Sequence, residues 1–272
     1  ASLAESCGGP GCRAPAVPAK VDMQYDLASL TKVVATTTAV LMLRDAGAVD
    51  LERSIADYLP FAAFKSITLR HLLNHAGGLV AGRPLYRTHS TMDAMLNEYA
   101  SVGIESGPGQ RWRYSDVGYM LLGRLVERVA AQSLDEFCAE RIFTPLGMTQ
   151  TFFTPPERLR SQCAPTERCA WRGKLVQGEV HDENAFAVGG VAGHAGLFST
   201  AEDLARFCRA FMGGEILAAS TLEEIGAKGQ VPSYPWQGLG WLIDPWDSKT
   251  TGFLPSRRAL GHTGWTGTSM WM

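Results

Sequence analysis

From Val33 to Leu43 the chain runs eleven residues without a charge, Val33-Val34-Ala35-Thr36-Thr37-Thr38-Ala39-Val40-Leu41-Met42-Leu43, closed by Arg44. Its apolar positions do not fall on one stripe, so the pattern predicts a helix over about 28–46, buried all round and stopped by Gly47. The run is too short to span a bilayer. Ile67 to Asn74 predicts a second helical stretch ending near Gly77-Gly78. Over Gly118 to Ala131 the residues Met120, Leu121, Leu122, Leu125, Val126 and Val129 recur at helical spacing. Leu134 to Ile142 reads as a short helix that Pro145 interrupts. Ser199 and Glu202 have capping-box spacing before a helix through Leu204, Phe207 and Phe211, ended by Gly213-Gly214. After Gly238 the pattern changes to short strands, Leu239 to Ile243 and Ala259 to Met272. Residues 1–20, with Cys7-Gly8-Gly9-Pro10-Gly11-Cys12, form an irregular lead-in. This order predicts an α/β fold. Its sheet region lies in 1–60 and 191–272, and a mostly helical insert occupies 61–190.

Composition adds exclusions. A chain of 272 residues, 46% hydrophobic and 19% charged, has ample length for a core. A net charge of −2 without a basic run gives no reason to expect nucleic acid. The six cysteines show no Cys-x-x-Cys spacing, which argues against a cysteine metal site. Cys7 with Cys12, and Cys163 with Cys169, are close enough to pair in an oxidising compartment, whereas Cys138 and Cys208 read as small core residues. The first residues lack the basic start and apolar middle of a secretion signal, and localisation stays open between periplasmic, secreted and cytoplasmic.

Candidate chemistry begins at Ser29-Leu30-Thr31-Lys32, where a hydroxyl and an amine lie one helical turn apart at the head of the buried run. A serine hydroxyl needs a proton acceptor, and a lysine in dry surroundings can be neutral enough to serve. An ordinary helix start would also explain the pair, but no other serine here has lysine at the third position after it. Helix-terminal N–H groups would stabilise a developing oxyanion. Two further stretches could complete such a site: Tyr114-Ser115-Asp116, in a loop entering a helix, and Gly261-His262-Thr263-Gly264-Trp265-Thr266-Gly267, whose small residues allow close backbone approach. The segment Gly189 to Gly196 lacks the Gly-Lys-Ser/Thr ending of a phosphate loop. His181, Asp182, Glu183 and His194 match no common metal spacing. Lys249-Thr250-Thr251-Gly252 carries an extra residue relative to a Lys-Thr-Gly strand and reads as loop, so His262-Thr263-Gly264 is preferred.

A Ser-x-x-Lys, a Tyr-x-Asn-like element and a Lys/His-Thr-Gly strand, in that order, resemble the serine β-lactamase and penicillin-binding-protein superfamily, of the class C type that includes family VIII esterases and D-Ala-D-Ala carboxypeptidases. Leu72-Leu73-Asn74-His75-Ala76-Gly77-Gly78-Leu79 is similar to the family's Leu-Leu-x-His-x-x-Gly-Leu, and His181 to Leu197 resembles a further block of its carboxypeptidase-like branch. The resemblance implies a β-lactamase-like fold, an antiparallel sheet flanked by helices, and no cofactor. It also implies roles. Ser29 is the acylated nucleophile, Lys32 its proton acceptor or relay, and Tyr114 the partner base that later activates water. Asp116, His262, Thr263, Gly264 and Trp265 would contact substrate, with the N–H groups of Ser29 and Trp265 forming the oxyanion hole.

Departures from the family pattern bear on substrate. Asp116 stands where an amide is usual, and a carboxylate accepts hydrogen bonds without donating. His262 replaces lysine, and a neutral imidazole holds a substrate carboxylate less strongly than an ammonium. Both favour an esterase or a carboxypeptidase over a fast β-lactamase; the alternative is a non-catalytic or slowly deacylating sensor module. The expected partner is a small ester, D-Ala-D-Ala-type peptide or β-lactam. Relatives carry strands before the serine helix and strands with a helix after the His-Thr-Gly strand. Here 28 residues precede Ser29 and eight follow Gly264, so truncation at both ends is expected.

Overall fold

The uncharged run after Lys32 becomes one continuous rod. A 3-10 turn at Ala28–Leu30 leads into a wider π-type stretch at Lys32–Thr37, and this passes into α1, Thr38–Asp45. In this computed structural model, which describes residues 18–227, 231–243 and 259–272, every position from Leu30 to Leu41 is buried. Four buried threonines are accommodated because each hydroxyl has a partner. Thr31 Oγ1 accepts from the Leu197 N–H, and Thr36 Oγ1 donates to the Gly193 carbonyl at 2.7 Å. Thr37 Oγ1 meets the Tyr119 hydroxyl, and Thr38 Oγ1 donates to the Val33 carbonyl at 2.8 Å. Each such bond contributes about 1 kcal/mol and spares a larger desolvation penalty.

The remaining helices are α2 (Leu69–Leu73), α3 (Met92–Val102), α4 (Asp116–Ala130), α5 (Leu134–Cys138), α6 (Glu157–Arg160), α7 (Glu183–Ala187), α8 (Ala201–Met212) and α9 (Ala219–Ile225). Helix α4 lies at the centre, packed on the π-type stretch, α1, α2, α3 and α5. Its Tyr119, Met120, Leu121, Leu122, Leu125 and Val126 are buried in the main core. Helix α5 continues as a second π-type stretch, Ala139–Phe143, so the helical pattern from Leu134 is realised with a widened end. Helix α3 was not foreseen in the sequence pattern, although Thr91 caps it and Met95, Leu96 and Tyr99 supply a buried face.

Strands β1 (Tyr25–Asp26), β2 (Phe152–Phe153), β3 (Arg168–Cys169), β4 (Lys174–Leu175), β5 (Leu197–Ser199), β6 (Leu242–Ile243), β7 (Leu260–Thr263) and β8 (Ser269–Trp271) complete the mixed α/β fold. One antiparallel sheet has the order β1-β5-β2 and another the order β6-β7-β8, while β3 and β4 form a hairpin. The expected strand over Ala259 to Met272 is thus two. The Gly264 N–H donates to the Thr268 carbonyl and Gly267 adopts a φ of +87°, which turns the chain back on itself.

Two further expectations are corrected. The cap of α8 is Thr200, whose side chain accepts from the Asp203 N–H, rather than Ser199 with Glu202. Ser199 is a strand residue opposite Tyr25, and its hydroxyl bonds to Thr151 Oγ1, so the same hydroxyl-to-acid spacing is used one residue later. Cys163 and Cys169 are free thiols. Cys163 bridges to Gln24 and donates to the Leu159 carbonyl, while Cys169 is registered against Lys174 in the β3–β4 hairpin, so the two are tied to different neighbours. Cys138 is buried in α5 and Cys208 half-buried in α8; Cys7 and Cys12 lie outside the described residues, as do Lys249 to Gly252. Among the described residues no helix is long and apolar enough to cross a membrane.

Candidate active site

Ser29 sits at the tip of a bent connection between β1 and the buried rod. Ala28 takes a left-handed φ of +46°, a conformation that costs a non-glycine residue about 1–3 kcal/mol. The buried Asp26 carboxylate holds it there, accepting from the Ala28 N–H at 2.8 Å and the His181 N–H at 2.6 Å. The β7–β8 turn docks on the same connection. Thr266 Oγ1 donates to the Asp26 carbonyl and Thr268 Oγ1 to the Leu27 carbonyl. A Cβ at position 264 would lie 2.5 Å from the Leu27 carbonyl oxygen, which is why glycine follows His262-Thr263. The N–H groups of Ser29 and Trp265 make no hydrogen bond to another element among the described residues.

Lys32 lies one turn after Ser29 and is fully buried. Its ammonium donates to Ser29 Oγ at 3.0 Å, to the His194 carbonyl at 2.9 Å and to Asp116 Oδ1 at 2.7 Å. An ammonium has three protons and no lone pair, and these acceptors together with the Tyr114 hydroxyl surround it. Burial alone would lower the lysine's proton affinity, but Asp116 and a hydrogen-bonded Tyr114 outweigh it and hold the ammonium above its ordinary range. Asp116, the position that departs from the family pattern, thus favours the charged lysine over the neutral one that taking the serine proton requires.

Asp116 opens α4, with its N–H bonded to the Ala81 carbonyl and Ser115 capping the helix. Tyr114 precedes it, and Lys32 Nζ stands 4.9 Å from the centre of its ring. The opposite face of the Tyr114 neighbourhood is His75, whose ring centre is 4.4 Å away and whose Nδ1 accepts from the Ser115 N–H. Across the site the Tyr114 and His262 ring centres are 6.1 Å apart. His262 Nδ1 lies 2.7 Å from the Thr263 carbonyl, which can only accept, so Nδ1 carries the proton and Nε2 a lone pair. The structure thus brings Ser29, Lys32, Tyr114, Asp116 and His262 together. Thr263 and Gly264 flank them, and the Trp265 indole is 85% exposed at the edge.

Several contributors carry little sequence signal. The backbone carbonyl of His194 takes a Lys32 proton, a role that no side-chain motif announces. Asp182 and His194 form a hydrogen-bonded pair at 3.0 Å, and Asp182 also caps α7. Burial would raise the Asp182 carboxyl, but His194, the Ala185 N–H and Lys32 bring it well below the usual carboxylate range.

Burial also sets the pH response. It lowers His262 to about 4 and His75 well below its ordinary value, with Lys32 adding to both, and it raises Asp26 to about 6. A depressed histidine contributes stability present above about 6.5 and lost as pH falls through its folded value. A raised aspartate works oppositely, returning stability as pH falls from about 6 to 4. His262 and Asp26 act in opposite directions over this range, while His75 and His71, both lowered by burial, act in the sense of His262, so acidification is expected to destabilise the fold. The melting temperature is expected to fall by several degrees between pH 7 and 4.5, and more steeply in Asp26→Asn, which removes the compensating group. Thermal melts across that range check both.

The described frame, an antiparallel sheet against a buried serine helix and a tyrosine-bearing helical layer, is that of the serine β-lactamase and penicillin-binding-protein superfamily. The chain belongs to the Beta-lactamase family, whose model matches residues 4–272. It is 34% identical over 291 residues to a protein of Escherichia coli K12 named putative D-alanyl-D-alanine carboxypeptidase, an alignment covering 93% of this chain and 66% of that one. The fold is similar to that of EstCE1, a hydrolase with promiscuous acyltransferase activity, at TM-score 0.73 and 21% identity, covering 93% of this chain and 77% of the other. It also resembles the D-amino acid amidase of Ochrobactrum anthropi at TM-score 0.70 and 23% identity, covering 94% and 77%.

Proposed function

We propose that this protein is a serine hydrolase that works through an acyl-enzyme on an ester or amide carbonyl, of the esterase or carboxypeptidase type rather than a fast β-lactamase. The observation that carries this reading is the Lys32 ammonium, in contact with Ser29 Oγ, the His194 carbonyl and Asp116 Oδ1, with Tyr114 beside it. So placed, Lys32 is a fixed cation that stabilises negative charge developing on Ser29 Oγ, and it cannot itself take the serine proton. Tyr114 is the remaining proton handler beside it. As Oγ attacks the carbonyl carbon, the hydroxyl proton passes to the Tyr114 oxygen, and the phenol proton passes to the departing alcohol or amine. Deacylation reverses the relay: water gives a proton to Tyr114, which returns its own to Ser29 Oγ. The N–H groups of Ser29 and Trp265 are the proposed oxyanion hole. A neutral His262 lacks the charge that would hold a free carboxylate, which favours the esterase end of this reading over substrates that carry one. The names of the carboxypeptidase, amidase and esterase-like relatives are compatible with one chemistry.

Intact mass spectrometry after mixing with p-nitrophenyl acetate and, separately, with benzylpenicillin tests this. An acetyl adduct on Ser29 that turns over within minutes is expected, with none in Ser29→Ala. An adduct that persists for hours would favour the slowly deacylating sensor, and ester hydrolysis unchanged in Ser29→Ala would remove the reading altogether.

A further inference from the structure

Only half of the Asp116 carboxylate is used. Oδ1 holds Lys32, whereas Oδ2 has no hydrogen-bond or ionic partner among the described residues, and the side chain is one-third exposed. Gly82 stands beside it without crowding it: a Cβ added there would reach Oδ2 only at an ordinary contact distance of 3.8 Å. This oxygen is also held in place: the Asp116 N–H is bonded to the Ala81 carbonyl, and Ser115 fixes the first turn of α4 through its own bond to the Val80 carbonyl.

The charge around it is one-sided. Lys32 is the one fully buried lysine or arginine among the described residues, and it faces the carboxylates of Asp116 and Asp182. Asp26 is tied to backbone N–H groups and Asp182 to His194, so neither reaches a ligand in their place. His75 and His262 add no charge at neutral pH, and Arg83 on the neighbouring loop is exposed, where solvent screens it. Reach follows from the contacts already given. Oδ1 and Ser29 Oγ share the Lys32 ammonium, at 2.7 and 3.0 Å from it, so a nitrogen on the carbon next to the reacting carbonyl is within reach of this carboxylate. A substrate carbonyl or carboxylate placed there would face lone pairs, whereas an ammonium presents donors.

We propose that Asp116 makes this a hydrolase selective for α-aminoacyl esters or amides with a free, protonated amine, which Oδ2 binds. The inference rests on acylation of Ser29 and names the acyl group that Ser29 takes. A charge-assisted contact at a partly exposed carboxylate predicts about ten- to hundredfold discrimination.

The test compares kcat/KM for alanine methyl ester, in each enantiomer, with the matching N-acetylalanine methyl ester. At pH 6.5 the free-amine ester of the better enantiomer is expected to be favoured about ten- to hundredfold, with the preference shrinking above about pH 8 as the amine deprotonates. Asp116→Asn is expected to bring the ratio close to one; lost pairing with Lys32 slows both substrates alike and leaves the ratio as the readout. Equal or reversed preference in the wild-type protein, or a ratio that Asp116→Asn leaves unchanged, overturns the proposal. The pH series on the wild-type protein decides it even where the variant folds poorly. Ser29-dependent turnover of p-nitrophenyl acetate separates the two levels: its presence with no amine preference removes only the inference, and its absence removes the serine-hydrolase reading and the inference with it.

Discussion

Lys32→Met is expected to reduce acylation of Ser29 by about a thousandfold, within the range that positioned proton-transfer and oxyanion-type groups supply. The substitution keeps the length of an apolar stem but removes the one side-chain donor to Ser29 Oγ among the described residues, and with it the cation proposed to stabilise the serine oxygen during attack. Stability suffers for a separate reason. Removing one partner of a fully buried ion pair costs about 3–5 kcal/mol, and the one-third exposure of Asp116 brings the figure to the low end or below, because water can reach the orphaned carboxylate. The His194 carbonyl also loses its donor. The two effects separate in the double variant Lys32→Met/Asp116→Asn. With no unpaired carboxylate left, it should recover much of the lost melting temperature while acylation stays low. Rates from time-resolved intact mass and melts by calorimetry are the measurements; equal recovery of both would mean that Lys32 only holds the structure together.

This pair also shows what was legible in the sequence. Ser29 and Lys32 share a helical face by spacing alone, and the residues around Tyr114 and His262 marked two further strips of the same site. The order of elements and the buried rod were readable because the uncharged run has no polar side. What was not readable is how the lysine is satisfied. A backbone carbonyl from position 194 and a carboxylate from 116 reach it only through the tertiary fold, and their sum decides its charge against the expectation from burial. The same limit explains the smaller misses. Ser199 and Thr200 both offer a hydroxyl three residues before an acid, and only the pairing of β5 with β1 decides which one belongs to the strand. Cys163 and Cys169 are near in sequence but are drawn to Gln24 and Lys174 respectively, which no spacing rule encodes.

Gly193→Ala is expected to be strongly destabilising on the path between the sheet and the serine helix. A Cβ there would stand 2.1 Å from the Tyr119 carbonyl oxygen and 2.9 Å from the Gly123 nitrogen, so it meets the backbone of α4 rather than a side chain that can swing away. Gly123 is hemmed in from the other side, its own Cβ position being 3.0 Å from Gly193, which marks a backbone-to-backbone crossing between α4 and the glycine segment. Overpacking of this kind costs about 1–3 kcal/mol where side chains can move, and more where only backbone can yield. In a chain of this size that corresponds to a drop of roughly 5–10 °C in melting temperature. The consequence for chemistry follows from the neighbours. Gly193 supplies the carbonyl that accepts from Thr36, and the next carbonyl, of His194, accepts from Lys32. Pushing this segment away from α4 lengthens both contacts and leaves the ammonium short of an acceptor, so acylation of Ser29 should fall in the surviving folded fraction as well. Melting temperature together with acylation rate measured well below the melt reads the two effects separately. A variant that loses stability but acylates at the wild-type rate would show that the His194 carbonyl is not needed to hold Lys32.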